Sequence, residues 1–115
     1  MDVPREVQDK LAQFQNLQNQ LQLVVMQKQQ LMLQGTDVEN ARKELEALAE
    51  GNVYRTVGPL LVQTSRDEGL KYLADEGESA SAKIKVLEKQ EKKMVERLNE
   101  MRGQLQSMLQ PPKAG

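Results

Sequence analysis

The chain has no histidine and no cysteine. Carboxylates, lysine amines, two tyrosines and hydroxyls are left as the groups able to do chemistry. Acid–base or nucleophilic work near neutral pH requires such a group to be perturbed by burial or by a positioned partner. Here the carboxylates are interleaved with lysine and arginine, most densely over residues 83–102, in the pattern of a solvated helix face. Asp37-Val38-Glu39-Asn40 lacks the spacing of a calcium loop, and no glycine motif cradles a phosphate. The expectation is no enzyme, no metal and no cofactor. Apolar contact is the chemistry that remains, and two stretches carry it.

The first is 51–65, Gly-Asn-Val-Tyr-Arg-Thr-Val-Gly-Pro-Leu-Leu-Val-Gln-Thr-Ser. Two runs rich in β-branched and aliphatic residues, Val53–Val57 and Leu60–Thr64, flank a Gly58-Pro59 breaker, the pattern of a tight β-hairpin. An isolated two-stranded hairpin is marginal in water and leaves both edges unpaired. It calls for partners, most simply the same hairpin in other subunits. Val53, Val57, Leu60 and Val62 are the residues expected to be buried on assembly, with Arg55 and Gln63 nearer solvent. Tyr54 either packs there or caps a sheet edge.

The second stretch is the pair of helices on either side. Ahead of the hairpin, a 3/4-spaced seam runs Val7, Lys10, Phe14, Leu17, Leu21, Val24, Lys28, Leu31, Gly35, Val38, Arg42, Leu45, Ala49. Leu11, Val25 and Met32 widen it. Pro4 suits a first helical turn, and Gly51 sits where a left-handed residue ends a helix. Gly35 followed by Thr36-Asp37-Val38-Glu39 has the form of a capping box and marks either a break or a soft point. The seven-residue period of Leu31, Val38 and Leu45 runs through it and favours continuity. Residues 11–27 carry no charge. Gln there is either an ordinary helix former or part of a non-ionic surface able to touch partners without charge selection.

After the hairpin, Ser65-Arg66-Asp67-Glu68 is a capping box. The seam resumes as Leu70, Leu73, Gly77, Ala80, Ile84, Leu87, Glu91, Met94, Leu98, Met101, Leu105, Met108, a strong coiled-coil signal. Pro111-Pro112 ends it. The helices match at about 43 residues, roughly 65 Å each. Joined by a hairpin they must run antiparallel, so residues whose numbers sum to about 116 face each other. The fold class is mainly α: a long antiparallel two-helix coiled coil with a central β-hairpin. It forms a single domain over 1–115, with helix 1 at 1–50, the hairpin at 52–64, helix 2 at 65–110 and a disordered tail at 111–115.

Composition supports an elongated architecture. One Phe, two Tyr and no Trp among 115 residues cannot fill a compact core, whereas a coiled coil buries only a seam. The net charge of −1 argues against a nucleic-acid partner, which would need a clustered basic surface. No apolar run reaches the length of a membrane span and no signal pattern opens the chain, so a cytoplasmic location is expected.

Val53-Tyr54-Arg55-Thr56-Val57-Gly58-Pro59-Leu60-Leu61-Val62-Gln63 between two heptad helices resembles the prefoldin family, as does Leu87-Glu88-Lys89-Gln90-Glu91. One hairpin instead of two matches the β-type subunits of that family, and the resemblance covers essentially the whole chain. It implies a hexamer of two α-type and four β-type subunits whose hairpins form a β-barrel platform. It also implies an ATP-independent holdase that grips unfolded client proteins at its arm tips and passes them to a cytosolic group II chaperonin. On that reading Val7, Leu11, Phe14 and Leu17 of the first helix and Met101, Leu105, Met108 and Leu109 of the second are the client-binding residues. Val53, Tyr54, Val57, Leu60 and Val62 are the assembly residues. Ordinary seam packing is the alternative for the first set, and it belongs with a structural scaffold or adaptor that assembles through its hairpin.

Overall fold

The elements begin and end where side chains replace the hydrogen bonds that helix termini lack. In the computed structural model, which describes residues 3–110, helix α1 spans Arg5–Ala47 and helix α2 spans Arg66–Leu109. Strands β1 (Val53–Val57) and β2 (Leu60–Thr64) lie between them. The tail expected at 111–115, with its Pro111-Pro112 stop, lies outside the described residues, as do the first two positions of the expected helix 1.

At the start of α1 the Pro4 carbonyl accepts the N–H groups of Val7 (3.0 Å) and Gln8 (3.1 Å). The Gln8 side-chain amide donates back to the Val3 carbonyl at 3.1 Å. Proline fits here because its missing N–H would have had no helical partner. At the other end α1 stops at Ala47, ahead of Gly51. The reason is a residue distant in sequence. Arg66 donates from Nε to the Leu45 carbonyl at 3.1 Å and from Nη2 to the Glu46 carbonyl. These are carbonyls of the last turn, where a helix C-terminus runs short of N–H partners; the Leu45 carbonyl also accepts the Leu48 N–H at 3.3 Å. Gly51 takes φ +118° in the connection beyond.

Gly35 does not break α1, which runs through it. Thr36 Oγ1 donates to the Met32 carbonyl one turn back (3.1 Å) instead of capping a new helix. Glu39, the acidic member of the would-be box, is held by Arg42 Nε at 3.0 Å. A Cβ at Gly35 would meet nothing within 4 Å. Gly35→Ala is therefore expected to stabilise the chain by about 1 kcal/mol, read as a raised midpoint in a urea melt followed by helical circular dichroism.

At the start of α2 the Ser65 hydroxyl accepts the Glu68 N–H at 3.1 Å, the first half of a capping box. The Glu68 carboxylate accepts from the Thr64 hydroxyl (2.9 Å), tying the end of β2 to the first turn of α2. Ser65→Ala should cost about 1 kcal/mol in the same melt.

The helices alternate sheltered and wet positions along the expected seam. Its members from Val7 to Leu45 on α1, and from Leu70 to Leu105 on α2, are buried or half-buried. Ala49, past the end of α1, and Met108 are exposed. Off the seam of α1, only Val25 is comparably sheltered among the described residues. Arg42, a charged seam residue, is bracketed by Glu39 and Glu46, the latter 2.7 Å from Nη1. Hydrogen bonding from Arg42 holds the Glu39 carboxyl below its ordinary range, and the same bonds raise the guanidinium. The benefit is present above the unfolded carboxyl's range and is lost as pH falls through the lowered one. It is small, because both groups face water.

The chain divides into two compact units. One joins Met1–Gln27 with Leu87–Gly115. Its helical segments pair antiparallel, with the Arg102 guanidinium 6.0 Å from the Phe14 ring centroid. Val7, Leu98, Met101 and Leu105 are its buried apolar residues. The other unit is Lys28–Val86. There the helices approach closely at two glycines. A methyl at Gly77 would lie 3.6 Å from Val38 Cγ1, and one at Gly69 would lie 3.0 Å from Leu45 Cδ2. Gln34 Nε2 donates across to Glu76 Oε2 at 3.3 Å. The Phe14–Arg102, Val38–Gly77 and Leu45–Gly69 pairs all keep close to the expected antiparallel register. The fold is an antiparallel two-helix coiled coil carrying a β-hairpin.

Candidate interaction surfaces

Among the described residues no group of acidic side chains is placed to hold a metal ion, and no helix is long and apolar enough to cross a membrane. The candidate sites are surfaces built from apolar side chains.

The hairpin is antiparallel, with Val57 opposite Leu60, Arg55 opposite Val62 and Val53 opposite Thr64. A two-residue connection at Gly58-Pro59 fixes this register, and Gly58 adopts φ +58°, which glycine takes without steric cost. Directly opposed residues share a face. One face thus carries Val53, Arg55, Val57, Leu60, Val62 and Thr64, and the other carries Tyr54, Thr56, Leu61 and Gln63. Val53 is half-buried; the rest of the expected assembly set, Tyr54, Val57, Leu60 and Val62, is exposed in this chain. Leu61 was not among the expected residues, yet at 72% it is the most exposed large apolar side chain described. The signal for it was present. Leu60-Leu61-Val62 is a continuous apolar run, and such a run marks a strand that needs cover on both faces. Both strand edges are also free, since the described sheet has only these two strands.

The residues near the chain ends fall into two groups. Val7, Met101 and Leu105 are buried, only 2%, 2% and 7% exposed, together with Leu98. Phe14 and Leu17 are half-buried. Leu11, Met108 and Leu109 stand exposed at 38%, 39% and 60%. Met108 lines a shallow groove of about 300 Å³ with Glu6, Asp9, Lys10 and Gln13. The structure thus brings the α2 end against the first turns of α1, while sealing part of the set away from water. Further along the uncharged tract at 11–27, Leu23 and Met26 are also exposed.

A sequence profile described as Prefoldin subunit matches residues 8–111. The chain belongs to the prefoldin subunit family. Several similar proteins carry the name prefoldin subunit beta. The prefoldin subunit beta of Thermococcus kodakarensis is 43% identical over 115 residues, covering 99% of this chain and 98% of its own. That of Pyrococcus furiosus is 36% identical with the same coverage. The crystal structure of the prefoldin beta subunit from Thermococcus strain KS-1 is 42% identical and superposes with a TM-score of 0.85, covering 96% of this chain and 98% of that one. The beta2 subunit from the same strain is 27% identical with a TM-score of 0.73, covering 78% and 97%. Prefoldin membership makes this a chaperone subunit.

Proposed function

We propose that the chain is a β-type subunit of an ATP-independent holdase in the cytoplasm. Its hairpin assembles with α-type subunits and other β-type copies into a hexamer on a β-barrel platform. The residues around Leu11, Met108 and Leu109 hold unfolded proteins, which pass to a group II chaperonin. The observation that carries this reading is the exposed apolar pair Met108 and Leu109 in a stretch, 103–112, that contains no charged residue. Methionine adapts its shape to varied partners, and contiguous exposed apolar surface marks interaction sites.

A second reading has an observation of its own. Burial of Val7, Met101 and Leu105 is what seam packing in a scaffold would give. Suppression of aggregation of a chemically denatured protein, without nucleotide, separates the two. The holdase complex keeps the denatured protein in solution at near-stoichiometric ratios, and a scaffold leaves its aggregation unchanged.

A further inference from the structure

Arg55 is the one charged side chain in 51–65, and the register puts it on the hairpin face of Val53, Val57, Leu60 and Val62. A cation on an apolar face that another subunit covers loses its hydration, which is costly unless the charge finds a partner. Its guanidinium is not left there. It lies over the Tyr72 ring of α2, 4.4 Å from the centroid, within range of a cation–π contact. Tyr72 stands one turn after Gly69, and Gly69 is where Val53 comes down: a methyl there would lie 3.6 Å from Val53 Cγ1. Two successive residues on one face of β1 thus rest on two residues a turn apart on one face of α2. Val57, the next residue on that face, is exposed.

We propose that Tyr72 is a positioning residue for subunit assembly. It draws the Arg55 charge off the apolar hairpin face and fixes how β1 sits on α2. Val57, Leu60 and Val62 are then presented together, as an uncharged surface, to a neighbouring subunit's hairpin. This rests on the reading of the hairpin as the assembly surface. The same contact buries Gly69: a methyl there would crowd Leu45 Cδ2 at 3.0 Å and meet Val53 Cγ1 at an ordinary contact distance.

The test uses the full-length chain co-expressed with an α-type subunit, with the complex followed by native mass spectrometry over a dilution series. Tyr72→Ala is expected to raise the dissociation constant about tenfold, and Tyr72→Phe, which keeps the ring face, to leave it unchanged. Adding Arg55→Ala to Tyr72→Ala should recover part of the loss, because the stranded charge is then gone. A ring that merely filled space would show no such recovery. Tyr72→Ala assembling like the parent, or a double variant no better than Tyr72→Ala alone, overturns the proposal. Val57→Asp with Leu60→Asp, run alongside, separates the failures. If that pair disassembles the complex while the Tyr72 variants do not, only the positioning role is lost. If that pair leaves the complex whole, the hairpin is not the assembly surface and the positioning role falls with it.

Discussion

Val57→Asp together with Leu60→Asp is expected to release this subunit from its complex as monomers. The two residues are opposed across the hairpin and stand exposed in the single chain at 45% and 64%. Covering an aliphatic side chain contributes about 1.5–3 kcal/mol, and a carboxylate in its place must be desolvated as the interface closes. The two carboxylates would also face each other, and opposed like charges destabilise a strand pair. Each contact involving this subunit's hairpin carries the same penalty, so the loss multiplies across an oligomer. Sedimentation velocity reads the outcome. Circular dichroism should retain its helical signal, since the seams lie elsewhere in the sequence. A full-size complex from the double variant would place assembly on a surface other than the hairpin.

Deleting residues 1–14 and 104–115 is expected to abolish suppression of client aggregation while leaving the oligomer intact. The deletion removes exposed Leu11, Met108 and Leu109 along with buried Val7 and Leu105, and it leaves the hairpin untouched. A point variant refines the claim. Leu11→Ser, Met108→Ser and Leu109→Ser alter side chains that are 38%, 39% and 60% exposed and leave the buried Val7, Met101 and Leu105 unchanged. Surface substitutions of this kind change stability little. A several-fold loss of client holding would then belong to the surface and not to a weakened coil. A truncated complex that protects a denatured client as well as the parent does would reject the chain ends as the holding site.

The degree to which this fold was legible in sequence follows from the range of each interaction. The seam reads directly because helical periodicity is local: residues three and four apart fall on one face whatever the partner. Phe14, Val38 and Leu45 therefore come out sheltered as the spacing requires. The Ser65 cap is local too, bonding to Glu68 within a single turn. So is the strand register, set by the Gly58-Pro59 connection. The end of α1, at Ala47 and not at the cap expected at Gly51, differs for the opposite reason. Its carbonyls are satisfied by Arg66, and no pattern around Gly51 reports where that side chain goes.

The surfaces divide in the same way. Alternation along β1 and β2 determined which residues share a face, and an apolar run with free edges called for partners. Only tertiary packing decided that Arg55 would lie against Tyr72, because the contact depends on how the hairpin docks on α2 and not on the spacing within either. Likewise, the seam positions Val7, Met101, Leu105 and Met108, with Leu11 beside them, read as one apolar cluster near the chain ends. Which of them stay wet was set by the antiparallel pairing in that unit. Met101 and Met108 are a heptad apart and have the same local pattern, but Met101 closes against the facing segment at 2% exposure and Met108 lies at its margin at 39%. Periodicity specifies a face; burial requires the partner that covers it.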